Sequence, residues 1–187
     1  MSTREQALAQ QFRLSAKSTD YKVFIPDKQK SYIWHISYKG PKDSEFEGGI
    51  YHAIVNLEHY PMKAPSVAVS TPSGAYSPNV PLCLVGITHY HQEGWSQGTS
   101  IEGIINAVSA YMLPSSRLSN GYGMISSTPD VYKQLAIESK KWKCECGCDH
   151  SKLFMDKKPG VEQKVEAVQQ VQQKVVPIKK FEIDFDD

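Results

Sequence analysis

The chain has 187 residues, with 21 basic against 20 acidic residues and a formal net charge of +1. That length accommodates one domain of about 150 residues and an appendage, and so even a charge balance offers no field for nucleic acid or an anionic membrane surface. The N-terminus, MSTREQALAQQFRLSAK, is polar and has no signal-peptide pattern, and no run approaches the ~18 apolar residues of a membrane span. The expectation is a soluble, cytoplasmic protein whose four cysteines stay reduced and serve packing, ligation or chemistry.

Residues 2–17 read as a first helix. Ser2 and Glu5 have capping-box spacing, and Leu8 and Phe12 lie four apart on a thin apolar face suited to the domain surface. Four short strands follow, at 21–25, 32–38, 50–57 and 66–70. They are separated by Pro26, Lys39-Gly40-Pro41 and Gly48-Gly49, and Trp34, Ile36 and Tyr38 share one alternation face. Close spacing with turns between them predicts an antiparallel meander in an α+β fold.

Residues 71–98 carry no long periodic run, yet hold Cys83, His89, His91 and Trp95. An irregular stretch of that length inside a compact domain is usually functional. A helix is then expected over 99–112, with Thr99 and Glu102 as capping box and Ile101, Ile104, Ile105, Val108 and Met112 on one face. A Ser/Gly/Asn loop fills 114–127. Thr128-Pro129 opens another helix, with Val131, Leu135, Ser139 and Trp142 expected on one side of it.

Beyond Trp142 the composition shifts, dividing the chain into a domain at 1–143 and an extension at 144–187. Cys144, Cys146, Cys148 and His150 offer four zinc-type ligands, but structural zinc sites favour at least two residues between cysteines. The segment is therefore read as a solvated tail with incidental thiols and no metal, with zinc binding as the alternative and an accessory redox or thioester role after that. Valines at 161, 165, 168, 171 and 175 predict a short amphipathic helix ending at Pro177, and an acidic, aromatic tail closes the chain.

Taken alone, a cysteine between Leu82 and Leu84 reads as core packing, because free cysteine buries like a small hydrophobe. The wider pattern reverses that. Trp34, Gly40-Pro41 and Phe46-Glu47-Gly48-Gly49-Ile50-Tyr51, then Tyr60-Pro61-Met62-Lys63-Ala64-Pro65, Leu82-Cys83-Leu84, Trp95 and Thr99-Ser100-Ile101 resemble, in order, the signature of the ubiquitin-conjugating enzyme family. Residues 71–95, TPSGAYSPNVPLCLVGITHYHQEGW, resemble the active-site stretch of its tail-anchored endoplasmic-reticulum branch. An asparagine four before the cysteine, a histidine eight after it and a tryptophan twelve after it all fall in register. QLAIES at 134–139 resembles the same branch.

Three departures stand out. Thr71-Pro72-Ser73 occupies the turn related to the usual His-Pro-Asn element, and Ser77-Pro78-Asn79 ends four residues before Cys83. The loop after the long helix lacks an acidic residue near the acceptor position, and the branch's membrane anchor is not recognised here.

The resemblance implies the ubiquitin-conjugating-enzyme fold, a four-stranded antiparallel meander flanked by helices. It also implies a nucleophilic Cys83 that takes ubiquitin, or a related modifier, as a thioester from the activating enzyme of an ATP-dependent pathway. A lysine, or a serine or threonine hydroxyl, of a protein substrate then receives it, usually with a ubiquitin ligase. No cofactor is implied. Asn79 is the expected oxyanion donor, against a simple turn role. His91 is the expected proton acceptor, ahead of His89. Met62, Trp95 and Ser96, with Glu5, Gln6 and Arg13 of the first helix, correspond to partner-contacting positions. The alternative is a non-catalytic ubiquitin-binding variant or adaptor of the same fold.

Overall fold

The computed structural model describes residues 3–116 and 121–154. The chain divides into a unit spanning Met1–Met155 and a second, Asp156–Asp187, which lies outside the described residues together with its expected amphipathic helix and acidic tail.

The meander forms as the sequence pattern requires. Strands β1 (Tyr21–Phe24), β2 (Ile33–Lys39), β3 (Ile50–Asn56) and β4 (Ser66–Val69) pair antiparallel in the order β1-β2-β3-β4. The register places Trp34 opposite Val55, Ile36 opposite Ala53 and Tyr38 opposite Tyr51, with Val67 and Val69 next to Val55 and Ala53. All of these side chains are buried on one face. Because strand side chains alternate, His35 and Ser37 of β2 and His52 of β3 lie on the other face, with Ser37 directly opposite His52.

Helix α2 (Ile101–Ala110) joins that core through Ile101, Ile104, Ile105 and Val108, as its period predicts. Each such side chain contributes about 1.5–3 kcal/mol on burial. Its cap is Ser100 rather than Thr99: the Ser100 hydroxyl accepts from Gly103 N–H at 3.0 Å, while Thr99 offers its carbonyl to the Tyr60 hydroxyl at 2.8 Å. Helix α1 (Thr3–Ser15) lies at the surface with only Leu8 and Ser15 buried. Phe12 meets Trp34 edge-on at 5.9 Å, and Gln11 accepts the Ile101 N–H at 2.9 Å, tying α1 to the start of α2. The expected cap, Ser2, lies outside the described residues.

Helix α3 (Pro129–Ser139) begins at Thr128-Pro129 as expected, but its buried face is Tyr132, Ala136 and Ser139. Val131, expected inside, is exposed, and Leu135 is half-buried. Tyr132 sets this rotation by packing on Phe46 with centroids 4.7 Å apart and accepting the Ser127 N–H through its hydroxyl. Ser139 then accepts the Ile50 N–H at 2.9 Å, fixing the end of α3 to the start of β3.

Candidate active site

Cys83 is positioned by its neighbours. Leu82 and Leu84 are fully buried, so the chain is pinned on both sides while the thiol between them stays half-exposed. Leu82 N–H donates to Val67 O at 2.8 Å and Cys83 N–H to Tyr122 O at 2.9 Å. Leu84 N–H donates to the buried Thr88 hydroxyl at 2.9 Å, and Thr88 N–H returns to Leu84 O at 3.1 Å. The glycine-rich segment at 121–124 thus runs against the cysteine loop. A Cβ on Gly121 would lie 2.5 Å from the Cys83 carbonyl oxygen, a separation only glycine permits.

The Thr88 turn brings His91 back over the thiol. His91 N–H donates to Thr88 O at 3.1 Å, and a short 3-10 turn, Gln92–Gly94, follows. His91 Nε2 stands 3.1 Å from Cys83 Sγ, and its Nδ1 stands 3.1 Å from Glu93 Oε1. With Glu93 ionised, Nδ1–H donates to the carboxylate, and Nε2 accepts from the thiol or, after taking its proton, donates to the thiolate. A backbone N–H at its own position, and then the His91 ring, hold the Glu93 carboxyl below the usual carboxylate range. Glu93 itself is 76% exposed, so the pair orients the ring more than it stabilises the fold. Sequence reasoning passed over Glu93, although an acid two residues beyond the histidine was the signal available.

Asn79 occupies the left-handed region at φ 62°, which asparagine tolerates better than most residues. Its backbone N–H donates to Val69 O at 2.9 Å, and its side chain is exposed with no hydrogen bond among the described residues. His89 is turned to packing: its N–H donates to Pro65 O, and its ring lies 4.1 Å from that of Tyr90. Trp95 joins two loops, donating from Nε1 to Pro61 O at 2.8 Å and meeting the Tyr60 ring at 6.2 Å. Gln92 adds bonds to both the N–H and the carbonyl of Ala64. Met62 is 60% exposed beside these loops, on a shallow depression shared with Arg4, Glu58 and Lys63. A cavity of ≈ 580 Å³ lies elsewhere, between the 39–50 turn, Asn106, Ser109 and Phe154, and contains no cysteine or histidine. Cys83 is not among the residues lining either of these depressions.

A family model described as "Ubiquitin-conjugating enzyme" matches residues 6–134. The chain belongs to the ubiquitin-conjugating enzyme family. Ubiquitin-conjugating enzyme E2 32 of Arabidopsis thaliana is 31% identical over 144 residues, which are 76% of this chain and 46% of that one. Ubiquitin-conjugating enzyme E2 J1 of Homo sapiens is 32% identical over 144 residues, 76% of this chain and 44% of that one. Human E2 J2 is 27% identical over 172 residues, 91% of this chain and 63% of that one. The chain thus spans less than half the length of the first two relatives. These relatives agree with the branch resemblance read from residues 71–95. Human ubiquitin-conjugating enzyme E2 G1 superposes with a TM-score of 0.50 at 19% identity over 60% of this chain and 98% of its own, a likeness of fold. Among the described residues no helix is long and apolar enough to cross a membrane.

A second thiol–imidazole cluster joins residues beyond the family match to the sheet. Residues 144–154, read from sequence as a solvated tail, lie against the outer face of the sheet, and His150 there is buried. The His150 ring lies 3.9 Å from that of His52, tilted by 54°, and His52 also meets Trp142 at 5.5 Å. This covering explains how His35, Ser37 and His52 come to be buried on a face whose polar alternation points to water. Burial, with His150 and His35 beside it, pushes the His52 ring down to about 2, and burial pushes His150 down to about 4. Burial also raises the Cys144 thiol to about 11. Cys83 and this cluster share residue types but not surroundings.

Proposed function

We propose that this chain is a ubiquitin carrier, taking ubiquitin from the activating enzyme as a thioester on Cys83 and passing it to a lysine amine or a serine or threonine hydroxyl of a protein substrate, with a ligase as docking partner. The observation that carries the reading is the Cys83–His91–Glu93 line, in which His91 makes one 3.1 Å contact to the half-exposed thiol and another to the carboxylate. In the charging step the Cys83 proton passes to His91 Nε2, and the sulfur attacks the incoming thioester carbonyl. The tetrahedral intermediate collapses with the activating enzyme's sulfur as leaving group. In the transfer step His91 accepts the proton of the attacking hydroxyl or amine, and Cys83 leaves as thiolate. Glu93 keeps the imidazole in the tautomer whose Nε2 faces sulfur.

Asn79 is the proposed oxyanion donor, supported by a side-chain amide with no competing bond close in sequence to the cysteine. Its turn role is separable, since Asn79→Gly preserves a left-handed backbone while removing the amide. A rate loss of ~100-fold in Asn79→Gly supports the donor, and an unchanged rate assigns Asn79 to the turn. Met62 and Trp95, on loops fastened to each other, are the proposed ligase and activating-enzyme contacts, along with Ser96 and Glu5, Gln6 and Arg13 of α1. The reading places the reaction in the cytoplasm, a reducing compartment in which a free catalytic thiol persists.

The test is charging with activating enzyme, ATP and ubiquitin. Wild type should form an adduct that thiol reductant removes, and Cys83→Ser an oxyester adduct that survives it. A folded wild type that remains uncharged sinks the carrier reading and leaves the binding module or adaptor of the same fold.

A further inference from the structure

We propose that His35, His52, Cys144 and Cys146 form a closed, four-coordinate zinc site that clamps the segment after α3 onto the outer face of the sheet. The two histidines come from adjacent strands, β2 and β3, and the two cysteines from a segment about a hundred positions further on. One ligand atom from each of the four lies within 4.8 Å of every other. Zinc bonds of about 2.0–2.1 Å to nitrogen and 2.3 Å to sulfur set tetrahedral ligand separations of about 3.3–3.8 Å. His35 Nδ1 to Cys144 Sγ, at 3.5 Å, already falls in that range. His35 Nδ1 to His52 Nε2, at 2.9 Å, lies just below it. The widest pair needs to close by about 1 Å, a side-chain adjustment.

The surrounding hydrogen bonds aim the lone pairs inward. His52 Nδ1 meets Ser37 Oγ at 3.2 Å. Ser37 Oγ also contacts His150 Nδ1, and His150 Nε2 meets Cys146 Sγ at 3.2 Å. With Cys146 as a metal-bound thiolate the donation runs one way, and a protonated Cys146 thiol in the metal-free chain reverses it. In the thiolate form His52 Nδ1–H donates to the serine oxygen, the serine O–H donates to His150 Nδ1, and His150 Nε2–H donates to Cys146. That order leaves the His52 Nε2 lone pair facing His35 Nδ1; a His35 Nδ1–H fills it when no metal is bound, and with the His35 proton on Nε2 a metal ion takes both lone pairs and the two sulfurs together. The Cys146 N–H donates to Cys144 Sγ at 3.4 Å, supporting a second thiolate. Ligating imidazoles ordinarily give their other N–H to such a partner.

The donor set fits the ion. Two thiolates and two neutral imidazoles make a neutral site with a divalent cation, as a buried position requires, and tetrahedral S2N2 coordination is typical of zinc. With four protein ligands no position stays open for substrate, so the site is structural. The short Cys-x-Cys spacing, which counted against zinc when all four ligands were sought in the tail, is relieved because the sheet supplies half of them. Gly147, at φ 80° with nothing within 4 Å of a Cβ, lets the chain turn directly after Cys146. Binding releases the two thiol protons to solvent, and no redox step is involved.

The test is metal content of the full chain purified under reducing conditions, which is independent of ubiquitin charging. Wild type should hold one zinc per chain. Its cobalt(II) form should show tetrahedral visible bands and thiolate charge transfer. Cys144→Ser/Cys146→Ser, a change outside the helix–sheet core, should lower zinc content at least tenfold, as should His35→Ala and His52→Ala where they fold. Cys148→Ser should keep full stoichiometry. Chelator should lower the melting temperature of wild type and leave that of the double serine variant unchanged. Wild type without stoichiometric zinc, or with Cys144 and Cys146 joined as a disulfide, overturns the proposal. So does a pattern in which Cys148→Ser loses zinc while both histidine variants keep it, which would place all ligands in the tail.

Discussion

The two thiol–imidazole clusters use the same side chains, and their surroundings separate their chemistry. At Cys83 one sulfur meets one imidazole, a carboxylate holds the far side of that ring, and the group is open to solvent. Protons and acyl groups can come and go there. Beneath the C-terminal segment two sulfurs and two imidazoles converge, a third imidazole and a hydroxyl back them, and the histidines are buried while the two cysteines stay half-exposed. The groups face one another, each within 4.8 Å of the rest. A partnered, accessible thiol suits transfer, and a convergent, covered set suits ligation.

The comparison can be broken at each end. The largest effect expected is at the open cluster. His91→Ala should slow discharge of the Cys83 thioester to hydroxyl acceptors about 100-fold, in the range of a general base, with a smaller effect on lysine, whose amine needs less help. Single-turnover discharge followed on non-reducing gels measures both. Equal rates for mutant and wild type toward hydroxyls would reduce His91 to a packing contact. Next, Ser37→Ala interrupts the hydrogen-bond chain behind the covered cluster and should weaken zinc binding about tenfold, the usual size for such a partner. Competition with a chelator of known affinity reads it, and charging of Cys83 should not change. The smallest effect is Glu93→Gln. An exposed partner of this kind is worth little, so discharge should fall about two- to fivefold, and a loss as large as that of His91→Ala would show that Glu93 does more than orient the ring.

Much of the fold was legible because its determinants are local. Alternation placed Trp34, Ile36 and Tyr38 inward, and the 3.6-residue period placed the α2 face. Where the sequence misled, a contact from elsewhere decided. Phe46 and Ser127 rotate α3 so that Tyr132 rather than Val131 is buried, and the Tyr60 hydroxyl engages Thr99 while Ser100 caps α2. The resemblance singled out Cys83 and His91, whose side chains the structure brings within 3.1 Å, and Glu93 joined them only once the turn had folded it back. The covered cluster was hidden because its histidines and cysteines lie about a hundred residues apart. Two histidines on the outward face of neighbouring strands were the trace of it, and alternation alone assigns such residues to solvent.

The measurement that tests the account most directly compares all four cysteines in one charging reaction. Full-length wild type, Cys83→Ala and Cys144→Ser/Cys146→Ser/Cys148→Ser are incubated with activating enzyme, ATP and ubiquitin, then run without reductant. The account predicts a reductant-sensitive adduct on wild type and on the triple variant, and none on Cys83→Ala. An adduct that persists in Cys83→Ala and disappears in a folded triple variant would contradict it, moving the carrier thiol to the cluster assigned here to zinc.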